Sequence, residues 1–351
     1  MPDYSKSVTD VYRDVAVAIM ERSRSLNILR VPSPDRRGNP IASQLPSWVP
    51  DWSVGDTSLS LEMTAIDGAS AFTPSPKVIP GHVPFWFSED GTRLTITAIG
   101  CLMKVKDVGR VLDRFHEHGQ VLSFAEFLQR SREDTKVILE WEELAGAEPE
   151  RWSHPYPSNN LKDQQDHGRE GTETVGEAWR QALLSGREYD HEAEDGSDLC
   201  EADFKAWAED DIMKTHRKFR RLGLLKHDTI FKWSSHLGMI QAVFKGYVSG
   251  STTELDTSAN ERFATAVTAS AEGRRFFVST NGLFGMAPRG MMKGDSIVVA
   301  RGVNVPLVVR KATVVGPEKL WTLVGDCYIH SKKIMYGDLW DKGVQKRLTL
   351  I

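Results

Sequence analysis

The sequence predicts an α+β fold, in which a helical layer from the N-terminal and middle segments packs on a small antiparallel β-barrel or curled sheet. Two observations predict it. Apolar residues recur at helical spacing in segments that precede residue 272, whereas from Arg274 onward they follow a period of two in short runs joined by tight turns. The barrel or sheet is therefore expected to form largely from the C-terminal third of the chain.

The first predicted element is an amphipathic helix over residues 8–22, with Ser7 as its N-cap. Its apolar side chains share one face, and they are Val8, Val11, Tyr12, Val15 and Ile19. A proline-rich loop over residues 31–47 follows the helix. Next, Asp90–Gly91 predicts the turn of a β-hairpin whose strands are 85–87 and 93–100, and residues 101–113 are expected to continue in strand and then turn.

The middle of the chain is predicted to be helical. Three capping boxes mark helix starts, because a Ser or Thr precedes a Glu by three residues at Ser123–Glu126, Thr174–Glu177 and Ser258–Glu261. The matching helices end before Gly146, Gly186 and Gly273, and a fourth helix spans about 203–222. We expect one compact α+β unit over 1–351, divisible into a mixed segment 1–146, a helical segment 147–272 with a long loop, and a strand-rich segment 273–351.

The C-terminal strands are bounded by turn signals. Asn281–Gly282 predicts a type I′ turn between two short strands. A second hairpin joins 296–300 to 305–309 around Gly302, and one continuous strand is expected over 321–330.

Composition limits the function classes. The formal net charge of -4 gives no overall basic field that would attract nucleic acid. Three widely spaced cysteines indicate a reducing compartment, the N-terminus has no signal-peptide pattern, and no apolar run approaches the roughly 20 residues of a membrane helix. We therefore expect a cytoplasmic protein without a membrane span. Because GxxxxGK[ST], GxGxxG, HExxH and CxxC motifs are absent from the sequence, we expect no cofactor and no metal.

Tryptophan is the one unusual count, at ten residues. Trp48 and Trp52 flank Asp51 in a segment stiffened by two prolines, and Trp86 lies between two phenylalanines. Because aromatic rings line apolar ligand pockets, we assign these three tryptophans to substrate binding and Asp51 to acid catalysis. The alternative is a hydrophobic plug that closes the core, with Asp51 capping a turn.

A second group of candidates lies at the predicted strand end. A period of two places Asp326, Tyr328 and His330 on one face, where Asp326 would orient His330 as a base and Tyr328 would contact substrate. The alternative is a pair that only holds the strand end. Arg275 and Arg289 are candidates to bind a substrate carboxylate, or else ordinary surface charges.

Charge is segregated in the middle of the chain. Residues 188–211 hold eleven acidic residues, and residues 214–226 hold six Lys or Arg. The segment 188–226 is therefore a candidate surface for a protein partner. The alternative is that its opposite charges pair with each other.

Several short motifs resemble the tail of fungal heterokaryon-incompatibility (HET) proteins. They are Leu45–Ser53, Gly273–Thr280, Gly282–Pro288, Gly294–Asp295, Gly302, Pro306–Arg310 and Leu323–His330. The resemblance covers most of the chain, but only loosely between residues 60 and 260. The "ALSYxWG" and "LWIDxICINQ" segments of the N-terminal HET domain, the presumed death effector, are absent from this sequence. The resemblance therefore implies the C-terminal region of such a protein, without that domain.

Two functions from different classes follow. The first is a cofactor-independent cyclase or isomerase of fungal secondary metabolism, of the pericyclase or Diels–Alder type, that folds an apolar small molecule in an aromatic pocket. It requires Trp48, Trp52 and Trp86 to approach one cavity together with Asp326 or His330. The alternative is a non-catalytic regulatory or recognition module of the incompatibility system. Such a module should expose a flat apolar patch rimmed by charge. We rank the enzyme first.

Overall fold

The computed structural model describes most of the chain in twelve stretches. They are residues 5–31, 41, 43–53, 72, 74–75, 85–112, 124–156, 173–186, 199–221, 259–313, 318–340 and 343–351. The helices are α1 (Val8–Ser23), α2 (Phe124–Ala145), α3 (Val175–Leu183), α4 (Leu199–Ala208), α5 (Asp211–Arg221), α6 (Ala259–Ala271) and α7 (Lys332–Met335). The strands are β1 (Phe85–Phe87), β2 (Leu94–Val111), β3 (Arg274–Ser279), β4 (Phe284–Pro288), β5 (Ser296–Ala300), β6 (Leu307–Lys311), β7 (Leu320–Asp326), β8 (Tyr328–Ile329) and β9 (Gln345–Leu350).

Five strands close into a barrel. The strand order β5-β6-β7-β9-β2 returns to its start because β2 also pairs with β5. Only β7 and β9 run parallel, while the other barrel pairs are antiparallel. β1 pairs with β2 to form the predicted hairpin. The predicted fold class, α+β with a small barrel built largely from the C-terminal third, is confirmed.

The long strand β2 belongs to two sheets. Its first part pairs with β9 and β5 in the barrel, and its last part, from Val105 to Val111, pairs with β3. β3 continues to β4 and β4 to β8, which gives a second, antiparallel sheet. Every residue of β4 and β5 is buried, as is typical of strands covered on both faces.

The chain divides into two compact units that interleave in sequence. The first comprises residues 1–112, 141–187 and 270–351, and the second comprises residues 113–140 and 188–269. The first unit holds both sheets. In the second, the rings of Phe204 and Trp207 lie 5.4 and 5.1 Å from that of Phe263, and Arg262 binds the buried carboxylate of Asp203 at 2.6 and 2.8 Å. The contiguous segments predicted from the sequence remain a prediction.

Local capping signals are confirmed where the structure describes them. α1 begins at the predicted cap, since Ser7 Oγ accepts a hydrogen bond from the Asp10 amide at 3.1 Å. The Thr174–Glu177 capping box forms with both of its reciprocal bonds. Gly146 and Gly273 follow α2 and α6 with φ of 61° and 68°. Ser123 and Ser258 lie outside the described residues.

Two local predictions are wrong. The helix expected over 203–222 is two helices, because Asp210 interrupts it and its carbonyl accepts the first bond of α5 from the Lys214 amide. Aspartate favours such helix starts. The β3–β4 hairpin forms, but its turn is not type I′, since only Gly282 has a positive φ there. The Gly282 amide bonds to the Ser279 carbonyl at 3.1 Å, so a single left-handed glycine closes the loop.

Candidate functional site

The strand expected over 321–330 breaks at Cys327, so that prediction is wrong. β7 pairs with β6 in the barrel, whereas β8 pairs with β4 in the second sheet through Tyr328↔Met286. The Cys327 amide donates to the Pro306 carbonyl at 3.0 Å at the crossing point. The alternation of faces does not continue across this break. Asp326 and Tyr328 therefore belong to strands of different sheets.

Four side chains form a hydrogen-bonded group that we call the His330 centre, namely Tyr156, Glu173, Tyr328 and His330. The Tyr328 hydroxyl lies 2.9 Å from His330 Nδ1, and His330 Nε2 lies 2.8 Å from Glu173 Oε1. The Tyr156 hydroxyl donates to the His330 carbonyl and accepts from the Phe284 amide, both at 3.2 Å. The centre thus fastens β8 to β4, to the start of α3 and to the loop at Tyr156.

Burial and neighbouring charge set the protonation of the two tyrosines and of Glu173. Burial raises the pKa of Tyr328 and of Tyr156 well above its ordinary value, so both hydroxyls keep their protons. Burial alone would raise the pKa of Glu173, but the hydrogen bond and charge of His330, with the charge of Lys332, outweigh it and lower that pKa. Glu173 is thus a carboxylate that accepts from His330 Nε2–H, and the Tyr328 hydroxyl forms the hydrogen bond at Nδ1.

The His330 centre is packed on its ring faces. Tyr156 and Phe284 lie 5.3 and 6.5 Å from the His330 ring, and Phe72 lies 5.7 Å from the Tyr328 ring. A Cβ on Gly186 would overlap the Tyr328 ring, so the backbone also approaches closely. Tyr328 and His330 are only 4% and 6% exposed. The arrangement suits a structural clamp.

Asp326 has a different partner from the one predicted. Arg274 Nη2 donates to the carbonyl oxygen and to Oδ1 of Asp326, both at 2.9 Å, and both side chains are fully buried. Among the described contacts the acid beside His330 is Glu173, which sequence reasoning missed. The local sequence signal for Glu173 is its position immediately before Thr174, the N-cap of α3. Burial also raises the pKa of the Cys327 thiol, which leaves it protonated and unreactive.

The segment around Trp48 closes one part of the barrel. Trp48 is buried, packs on Phe87 at 5.4 Å, and donates from Nε1 to the Thr92 carbonyl at 3.2 Å. Ser47 accepts from the Leu323 amide of β7 at 2.9 Å. Asp51 accepts from the amide and hydroxyl of Ser53 at 2.9 and 2.6 Å, as in a turn cap. This geometry matches the alternative of a plug with Asp51 capping a turn.

Trp52 and Trp86 are both exposed and contact different elements, α1 and β9. Trp52 is 41% exposed and meets the Tyr12 ring edge-on at 5.2 Å. Trp86 is 43% exposed, and the Arg347 guanidinium lies 4.8 Å from its ring centre.

The Arg275 side chain contacts the backbone of the turn that contains Arg289. Arg275 donates from Nε to the Gly109 carbonyl at 2.8 Å and from Nη1 to the carbonyls of Arg289 and Met291. The Arg289 side chain is half-buried. Arg275 thus holds the loop that follows β4 against β2.

The predicted convergence of Trp48, Trp52 and Trp86 on one cavity gains no support from two surface pockets of the described residues, since none of the three lines either pocket. A groove of about 360 Å³ is lined by residues of α1, the 44–46 segment and the β1–β2 turn, including Arg13 and Arg93, but by none of the three tryptophans. The cyclase hypothesis requires that convergence, so nothing in the described part of the chain favours it.

The described residues carry neither a metal-binding group nor a membrane-spanning helix. No group of three or more His, Cys, Asp or Glu is placed there to hold a metal ion. None of the helices in that part of the chain has the length and apolar character needed to cross a bilayer.

Comparison with known proteins gives one family and one relative. Residues 203–351 match the family model of the Het-6 beta-barrel domain. Heterokaryon incompatibility protein 6, OR allele, of Neurospora crassa is 24% identical over 362 aligned residues, which cover 100% of this chain and 47% of that protein. The chain thus spans about half the length of the curated relative that it matches. No solved structure matches it.

Proposed function

Because residues 203–351 match the family model of the Het-6 β-barrel domain, in line with the resemblance to HET proteins, we propose that this chain is a non-catalytic recognition module that binds a protein partner. One observation carries the proposal. An apolar stripe, made of Val8, Val11, Val15 and Ile19 on α1, faces solvent. The proposal keeps the predicted cytoplasmic location, and a partner of the 188–226 segment remains a prediction.

The stripe is unusual for an amphipathic helix. Its four side chains are 50%, 39%, 42% and 42% exposed. Such a helix normally turns its apolar face to the core, but α1 buries Ala16 and Met20 instead. Asp10, Arg13, Asp14 and Glu21 lie on other sides of the helix, and Arg22 lies at the C-terminal end of the stripe, so the stripe is an apolar patch with a charged border. Patches of this kind mark interaction surfaces.

The polar residues in the family-like motifs support a non-catalytic role. Arg310 binds Asp295 through two bonds of 2.8 Å and fastens the β5–β6 hairpin. Arg274 is paired with Asp326, and His330 is held in its centre. Each group that resembled catalytic machinery in the sequence is engaged in a bond that holds the fold.

Capture from an extract of the cells that encode the protein tests the proposal. The purified wild-type chain should retain a protein that Val15→Asp fails to retain, and the captured protein should bind again after its own purification. Val344→Asp is the matched control, because Val344 is 71% exposed and lies before β9, outside the stripe. Equal retention by Val15→Asp would remove the stripe from recognition. Turnover of a small molecule by the purified chain would contradict a non-catalytic role.

A further inference from the structure

We infer that the stripe binds an amphipathic helix of a partner protein, and that this helix carries carboxylates opposite Arg22. The inference rests on the proposed function of the stripe.

The shape of the surface favours a helix. The backbone groups within α1 are bonded along the helix, so only side chains are available to a partner, and strand addition is excluded at this surface. The exposed residues are spaced by three, four and four positions, which makes a ridge along a helix of 16 residues, about 24 Å long. Ridges of this spacing pack into the grooves of another helix.

A depression lies at the C-terminal end of the stripe. It has a volume of about 590 Å³ and is lined by Val15, Ala18, Ile19, Arg22 and Ser23. Apart from Arg22 and Ser23, these side chains are aliphatic. The depression can therefore receive an apolar side chain from a partner ridge, with a guanidinium beside it.

The charge at the end of the stripe, that of Arg22, points to an acidic partner. Lys6 binds Asp14 at 2.6 Å, and Arg13 binds Asp10 at 2.9 Å. Arg22, by contrast, forms no hydrogen bond or ion pair with the described part of the chain and is exposed. A carboxylate on the partner would pair with this guanidinium at the border of the apolar contact, where its geometry is favourable.

Two synthetic helical peptides test the inference. Both carry the same leucine stripe, and the positions beside the stripe are glutamate in one peptide and lysine in the other. We expect the wild-type chain to bind the glutamate peptide about five-fold more tightly, as one exposed ion pair of about 1 kcal/mol would give. Arg22→Glu should reverse this order. Val15→Asp should weaken both peptides, and Val344→Asp should change neither.

The outcomes separate this inference from the proposed function. Equal binding of the two peptides, or no reversal in Arg22→Glu, would overturn the acidic partner while the stripe stayed a docking surface. If neither peptide binds at a peptide concentration of about 1 mM, which is well above the dissociation constants of specific recognition, the inference of a helical partner is overturned. Sedimentation of the purified chain alone completes the test. If the wild-type chain forms a dimer and Val15→Asp is a monomer, a second copy of this chain occupies the stripe and the inference is overturned. The capture experiment decides the proposed function independently.

Discussion

Among single side chains, His330 joins segments that lie far apart in sequence. Its imidazole bonds Tyr328 two residues away and Glu173 157 residues away, and its carbonyl accepts from Tyr156. Local signals at these positions, such as the Thr174 cap, could be predicted because they depend on neighbours a few residues apart. The contact between His330 and Glu173 could not be predicted, because no local sequence pattern encodes a contact between residues 157 positions apart.

Tyr328→Phe should lower the free energy of unfolding by about 1–3 kcal/mol. The substitution keeps the packed ring but leaves the buried His330 Nδ1 without its hydrogen-bond partner. Urea unfolding at neutral pH measures this loss. Tyr336→Phe is the control, because Tyr336 is 55% exposed and its change should stay within about 0.5 kcal/mol. An equal, small effect of both variants would contradict the role given to the His330 centre.

Glu173→Gln should make the free energy of unfolding fall less steeply as the pH is lowered. The folded chain holds the pKa of Glu173 below its ordinary value of 4.5, so its contribution is present above that value and is lost as the pH falls through the lowered pKa. The wild-type chain should therefore lose more stability than the variant between about pH 5.5 and about pH 3.5. Urea unfolding at both pH values checks this. The control is Glu318→Gln, since the exposed Glu318 pairs with Arg93. Parallel profiles for wild type and Glu173→Gln would refute the prediction.

Among the helices and strands, the sequence-based prediction was accurate where local sequence alone determines the element, and it failed where contacts with other parts of the chain determine it. The position of α1 and its N-cap were predicted correctly. The sequence of one helix does not determine whether its apolar face meets the core or solvent, because that depends on tertiary contacts. The strand expected over 321–330 has a uniform pattern but serves two sheets, so the break at Cys327 was missed. Gly325, which has φ of 146° just before Asp326, was the available signal of irregularity.

Gly285→Ala should disrupt the pairing of β4 with β8. A Cβ at this position would overlap the Tyr328 carbonyl, a backbone atom that cannot move aside without breaking the ladder. We expect a loss of at least about 2 kcal/mol in unfolding free energy, measured by urea titration. Gly290→Ala is the matched control, because its Cβ would meet only Val324 Cγ1 at an ordinary 3.5 Å. Similar stability of the two variants would show that the close approach is not needed.

For the molecule as a whole, the switch of apolar period near residue 274 was enough to predict the fold class. The closure of the barrel was not predictable, because β2 precedes the other four barrel strands by about 180 residues of chain and was recognised only as part of a hairpin. The family match at 203–351 likewise leaves out β2. The folding unit is therefore larger than the matched segment.

A fragment of residues 203–351 should fail to fold alone. It lacks β2, which pairs with β5 and β9 in the barrel and with β3 in the second sheet. Thermal unfolding followed by circular dichroism should show no cooperative transition for the fragment and a clear one for the full chain. A sharp transition of the fragment, with dispersed amide signals in its NMR spectrum, would mean that β2 is dispensable.

The affinity of the purified partner for α1 tests the recognition account most directly. Isothermal titration calorimetry of the captured protein should give a dissociation constant at least about ten-fold weaker for the double variant Val15→Ser/Ile19→Ser than for wild type, a loss of about 1.4 kcal/mol. Val344→Ser should bind like wild type. Unchanged affinity in the double variant, with its fold intact, would contradict recognition through the stripe.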